Sequence, residues 1–384
     1  MILLSLIALV FQSQTPSPSP DFTQAWDKAA AAIKSAYYAR HSREGEMDDR
    51  LKKYAPLAEA AHSKDEFRDI VNKMIREFKD SHFSFFTDED QGYYLMDGFS
   101  SNPASMPEVG AWFQRDGDLY RVSMVLDGTP AAGAGLMKGD LVTLGDGKPF
   151  SPIDSLKPDV GKTVTLHIMR GDQGLDKVLK VDSKPAMDMF LDATGDSAHV
   201  INQGKKKIGY IHLWTQATDK FRLKLSRIVY NNFEDTDAII LDLRDGFGGK
   251  TEGYADPFFL PDVKLDWKSP AGDNNEIVGY GNPLVVLING GSRSAKEVLS
   301  YIFQKSRRAT LIGSNTAGNV LGTFPRRLND WAIIEIPVVE VYADGVRLEG
   351  KGVSPDVQVA KEYDANGKDM YLEAALKYLD AKLK

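Results

Sequence analysis

A chain of 384 residues, 42% hydrophobic and 26% charged, carries enough apolar material for two or three packed domains and has the composition of a globular protein. A formal net charge of −7, with no basic stripe interleaved with aromatics, argues against nucleic acid as a partner. The lack of cysteine excludes disulfides, thiolate catalysis and Cys-type zinc sites.

Residues 1–11, MILLSLIALVF, form an apolar run of signal-peptide length, too short to span a bilayer. The chain is therefore expected to be exported, periplasmic or extracellular, with membrane association only through an uncleaved form of this segment. Pro/Ser punctuation over residues 15–21 reads as a stiff linker, which places leader and linker in residues 1–20. Residues 21–105 read as an N-terminal helical region. Its best stretch opens on Ser63-Lys64-Asp65-Glu66, a capping box, and continues with Phe67, Ile70, Val71, Met74, Ile75 and Phe78 on one helical face. The helix is expected to run out at Lys79-Asp80-Ser81-His82, before the strand-like FSFF. His82 thus falls at a helix-to-strand junction, where a side chain can be held firmly and still face a cleft.

Residues 106–185 change to short β patterns separated by Gly, Asp and Pro turns. Among them, residues 127–140 (DGTPAAGAGLMKGD) spell a short small-residue helix between tight turns. Residues 195–384 alternate strand and helix. DAIILDL and PLVVLI are continuous apolar runs suited to buried parallel strands, and Phe221, Leu225, Ile228 and Val229 keep helical spacing. The expected class is α/β, with several domains and a C-terminal amphipathic helix at residues 370–383.

One stretch invites a chemical reading. In Gly290-Gly291-Ser292-Arg293-Ser294-Ala295 a buried strand ends in two glycines, and Ser294 stands where a helix begins, beside amides that favour developing negative charge. An ordinary N-cap serine looks the same, so residue types alone leave both readings open. His82 suits the role of a base near neutral pH. His212 lies in an apolar strand and reads as a bonded core histidine, and Asp242 with Arg244 as a structural pair. His41, His62, His167 and His199 share no metal-ligand spacing, so neither metal nor cofactor is expected.

The 127–140 run resembles the PDZ signature of bacterial proteases. By the same resemblance Gly110-Ala111-Trp112-Phe113 stands near a carboxylate-binding loop, and the unit is expected to bind extended peptides by strand addition. Residues 239–249 (IILDLRDGFGG) resemble the LDLRxNxGG strand and loop of the C-terminal-processing protease family. The segment around Ser294 resembles that family's GTASASE motif, Thr316-Ala317-Gly318 its TxG turn, and residues 349–356 (EGKGVSPD) its EGxGVxPD. The resemblance covers residues 106–380 in family order. It implies a crotonase-like α/β catalytic domain with an inserted PDZ-like domain, a peptide or protein substrate, Ser294 as nucleophile, and Gly248 or Gly249 with the Ala295 amide as oxyanion hole. Many members take their base from the lysine of a TFGKG motif. Here Asn319 stands in its place and cannot accept a proton. The turn is instead similar to the tricorn and retinoid-binding-protein branches, and the tricorn branch uses a histidine that follows a serine ahead of the PDZ domain. Ser81-His82 fits that pattern, with Glu349 as the implied acidic member. The expectation is an exported serine endopeptidase. The alternative is an inactive relative that binds peptides or other ligands or serves as a scaffold, since a fold does not fix a function.

Overall fold

The computed structural model describes residues 20–260, 265–270, 272–276, 279–364 and 367–384; the expected leader, and all but the end of the linker, lie outside them. The chain opens with α1 (Phe22–Ala36), α2 (Glu44–Glu59) and α3 (Lys64–Arg76). α3 buries Phe67, Val71, Met74 and Ile75, the stripe its spacing predicts. Ser63 caps it by accepting the Glu66 N–H at 3.1 Å. The Glu66 carboxylate, however, takes the His62 N–H at 2.8 Å, one residue before the usual capping-box partner.

β1 (Ser84–Thr87) and α4 (Gln91–Asp97) follow. The next unit is a twisted antiparallel sheet of β2 (Ala111–Asp116), β3 (Leu119–Val125), β4 (Leu141–Gly145), β5 (Thr163–Arg170) and β6 (Gln173–Lys180), in that order, with α5 (Pro130–Gly133) between β3 and β4. Its own core runs from Val109 through Phe113, Val142 and Ile168 to Val181. α6 (Ala186–Asp196) then leads into a second layer.

That layer contains β7 (His199–Gln203), β8 (Lys206–His212), β9 (Ala238–Asp242), β10 (Leu284–Ile288) and β11 (Ala309–Gly313). The chain continues through β12 (Gly322–Arg327), β13 (Ala332–Val339) and β14 (Val357–Gln358). The sheet order is β7-β8-β9-β10-β11-β14, parallel except where β7 meets β8. Every residue of β9 and β10 is buried, which is why these strands read as unbroken apolar runs. Ile239, Leu241, Val286 and Ile288 pack on one side with α7 (Asp219–Asn231) and α8 (Ala295–Lys305). Ile240, Val285 and Leu287 pack on the other with Tyr371, Ala375 and Leu379 of α9 (Met370–Lys382).

The N-terminal helices do not close a core alone. β13 pairs antiparallel with β1 on one edge and β12 on the other, and its Ala332, Ile334 and Ile336 pack among Phe67, Val71 and Phe85. This return of residues 332–339 to the N-terminal region positions the turn that carries His82.

Candidate active site

β10 ends at Ile288, and the chain reverses through Asn289-Gly290-Gly291 before α8 begins. Ser294 sits at the N-cap with φ 60° and ψ −129°, a conformation that non-glycine residues rarely adopt and that ordered surroundings must hold. Those surroundings are explicit. The Ser294 N–H donates to the Asn319 carbonyl at 2.8 Å and to Glu297 Oε2 at 3.1 Å. Glu297, wholly buried, also accepts from Thr316 Oγ1 at 2.6 Å, the Gly318 N–H at 2.7 Å and the Asn319 N–H at 2.9 Å. Burial pushes its carboxyl up, and these donors pull it back. The Thr316-Ala317-Gly318-Asn319 turn therefore wraps a carboxylate that fixes the serine's backbone. No sequence signal marks Glu297 for this role, because its partners at 316–319 lie some twenty residues along the chain.

Gly248 faces the serine. A Cβ added there would lie 2.4 Å from Ser294 Cβ, 2.7 Å from its Oγ and 2.7 Å from the Ala295 nitrogen. Only glycine lets the backbone come this close. Gly249, at φ 136°, is tight for another reason: its Cβ would meet the Gln216 carbonyl carbon and oxygen, both at 2.4 Å. Ala295 is buried in the first turn of α8. Lys296 points away from Ser294. Its Nζ donates to the Asp245 carbonyl at 2.7 Å, and burial brings its ammonium down to about 7.

His82 comes from the opposite side of the cleft. α3 closes at Arg76, so His82 (φ 53°) stands beyond the helix rather than on its last turn. The turn is anchored by Asp80, which accepts from the Tyr37 hydroxyl, from the Tyr38 hydroxyl at 3.0 Å and from Arg43 Nη1 at 3.0 Å. The His82 Nδ1 lies 3.0 Å from Ser81 Oγ, and Ser81 Oγ donates to Glu349 Oε2 at 2.9 Å. Glu349 is held in turn by the Val320 and Leu321 N–H groups at 2.5 and 3.2 Å. This chain of bonds fixes the tautomer. A hydroxyl has one proton, and an ionised carboxylate can only accept it. Ser81 must therefore accept from His82, so Nδ1 carries the hydrogen and Nε2 keeps its lone pair. Burial, with the Arg293 cation adding to it, lowers the imidazole to about 3 and keeps it neutral at physiological pH.

His82, Ser294, Gly248 and Gly249 line one cleft of about 430 Å³, walled on its apolar side by Leu95 and Met96. A second hollow of about 550 Å³ shares Leu95, Met96, Phe247, Arg293 and Glu335 with it and runs past Gln91 to β2. Of the stretch Gly110-Ala111-Trp112-Phe113, Trp112 and Phe113 line this hollow, whereas Gly110 and the buried Ala111 do not. The Gly110 carbonyl accepts the Leu126 N–H at 2.9 Å. Gln91 takes the two edge groups that follow: its Nε2 donates to the Ala111 carbonyl at 3.0 Å and its Oε1 accepts the Phe113 N–H at 2.9 Å. Trp112 packs edge-on against Phe247, centroids 5.2 Å apart, so this strand touches the loop that carries Gly248.

His212 is buried, bonds the Arg244 carbonyl through Nε2 at 2.9 Å and stacks on Trp214. Arg244 pairs with Asp242 at 2.6 Å in the interior.

Residues 207–359 match the model of peptidase family S41. Over 383 residues the chain is 26% identical to a putative tricorn protease homolog 2 of Streptomyces coelicolor, covering 90% of this chain and 31% of that protein. It is 25% identical over 312 residues to a probable CtpA-like serine protease of Staphylococcus haemolyticus, covering 76% of this chain and 59% of that one. The chain thus spans less than two thirds of the length of these curated relatives. The solved structure of a photosystem II D1 C-terminal processing protease superposes with a TM-score of 0.55 at 20% identity, over 91% of this chain and 96% of that one, a likeness of fold.

Proposed function

We propose that the chain, whose residues 207–359 match the model of peptidase family S41, is a serine endopeptidase that cleaves peptide bonds through an acyl-enzyme. One observation carries the reading: a histidine with a bare Nε2, held by Ser81 and Glu349, lines the same cleft as a serine strained at a helix start. Ser294 Oγ attacks the scissile carbonyl and passes its proton to His82 Nε2. The imidazolium is stabilised through Nδ1–H to Ser81 Oγ and onward to Glu349. The oxyanion sits against the Ala295 amide and the glycine backbone at 248–249. His82 then protonates the leaving amine, and water repeats the sequence on the ester. Asn319 contributes its carbonyl to the Ser294 N–H, a positioning role that needs no basic side chain.

The PDZ-like reading of residues 106–185 rests on the 127–140 motif and on β2 lying at a sheet edge beside the hollow that leads to the cleft. Peptide chains are the proposed guests there. Export rests on the apolar run at residues 1–11.

Fluorophosphonate labelling tests the nucleophile. The expected result is a covalent adduct on Ser294, lost in Ser294→Ala and slowed at least about 100-fold in His82→Ala. Wild-type protein that neither labels nor hydrolyses any peptide is the result that favours the non-enzymatic relative.

A further inference from the structure

The reaction above leaves three charged residues of the cleft unused: Lys250, which pairs with Asp219 at 3.0 Å, Glu335, and Arg293. Arg293 precedes the nucleophile, lines the catalytic cleft and the hollow leading to β2, and its guanidinium carbon sits 4.7 Å over the Phe247 ring. Phe247 is itself fixed edge-on by Trp112 and Phe190, centroids 5.2 and 5.4 Å away. The guanidinium is thus held on an aromatic platform rather than left to wave in solvent. Among the described residues its side chain makes no hydrogen bond and no ion pair. Five N–H donors in a half-buried cleft lack an acceptor, and burial lowers the proton affinity of the group.

Two carboxylates act on it from a distance, and each is committed elsewhere. Glu335 lines the same cleft but accepts from Thr323 Oγ1 at 3.0 Å. Glu297 is spent on the 316–319 turn and the Ser294 N–H. The missing partner is an anion of the right size and planarity for a guanidinium fork.

We propose that Arg293 is the receptor for a carboxylate of the bound peptide, so that the enzyme selects substrates carrying an acidic group close to the scissile bond. The inference rests on the endopeptidase reading. A peptide offers this chemistry from two sources, its C-terminal carboxylate and an Asp or Glu side chain. Neutralising Arg293 also has a catalytic consequence. The cation disfavours a proton on His82, so a bound carboxylate makes the imidazole a better base. Selectivity should therefore appear in kcat as well as in KM.

Two peptide pairs separate the sources: one differs only in a free or amidated C-terminus, the other, blocked at both ends, only in an internal Glu or Gln. The wild type should favour the carboxylate member of at least one pair by about 10- to 100-fold in kcat/KM, the range for a charged hydrogen bond. Arg293→Gln should bring that ratio to about twofold, Arg293→Lys should keep part of it, and Arg326→Gln, an exposed arginine on β12, should leave it at the wild-type value. Binding of the same peptides to Ser294→Ala, with and without Arg293→Gln, is read by fluorescence anisotropy and tests the receptor apart from hydrolysis. No turnover by the wild type with carboxylate-selective binding by Ser294→Ala would sink the endopeptidase reading alone. Ratios unchanged by Arg293→Gln, or no carboxylate preference in binding or turnover, would overturn the receptor.

Discussion

Replacing Gly248 by alanine puts a single methyl where the serine and the oxyanion must meet. The added carbon would approach Ser294 Cβ to 2.4 Å and both Ser294 Oγ and the Ala295 nitrogen to 2.7 Å, about 1 Å inside normal carbon contact at ~3.5 Å. Rotation about χ1 moves the serine Oγ away, but Ser294 Cβ and the Ala295 amide are fixed by the backbone at the start of α8 and cannot follow. The methyl therefore fills the space in front of that amide, and the loss of one oxyanion donor costs about 10²- to 10³-fold in kcat, or about 2.7–4 kcal/mol. Overpacking adds about 1–3 kcal/mol of destabilisation. Gly249→Ala is the contrast. Its methyl meets only backbone, at 2.4 Å from Gln216 and 2.5 Å from Ala217 Cα, at a φ of 136° that alanine resists. That variant should lose Tm first and activity only as a result. Peptide kcat and fluorophosphonate labelling rate, measured beside thermal melts of both proteins, decide the matter. Gly248→Ala with kcat within about threefold of wild type would refute the oxyanion assignment.

Four further outcomes follow from the His82 relay. Because burial and Arg293 hold His82 near 3, the acid limb of kcat/KM should fall below the ordinary histidine value of about 6.5; a limb at or above that value in a pH–rate profile would count against His82. The same depression means that the unfolded chain binds a proton between those two values while the native one does not, so stability falls as pH drops through that window. His82→Gln should flatten that part of the denaturation-versus-pH curve. Ser81→Ala frees the Nδ1 hydrogen and should lower kcat about 10- to 100-fold with KM little changed, as steady-state kinetics would record. Glu349→Gln weakens the bonds from Val320, Leu321 and Ser81 together, and should cost about 1–3 kcal/mol by chemical denaturation as well as activity.

The parallel core was legible because its strands are buried on both faces, so β9 and β10 carry no polar alternation to confuse with an edge. α3 was legible through one apolar stripe and a serine cap. β13 was not: its apolar run contains Glu335 and Pro337, and it belongs with helices read some 270 residues earlier. α6, which buries Phe190 beneath Phe247, carried no turn or cap signal strong enough to mark it. Within the cleft, Ser294 and His82 were reached through motif order, because nothing local in either segment announces the other. Glu297 and Arg293 stood in plain view beside the serine. Their roles depend on which distant groups surround them, and spacing along a chain does not encode that.

Gln91 lends its side-chain amide to β2 as one rung of a ladder whose second upright is absent. A guest chain laid along this edge would need the same carbonyl of Ala111 and the same N–H of Phe113. The exchange is bond for bond and so nearly neutral in hydrogen bonding; its cost falls on moving α4, where Gln91 opens the first turn and Leu95 and Met96 wall the cleft one turn on. A visitor seated on that edge would thereby pull on the helix that walls the chamber around Ser294.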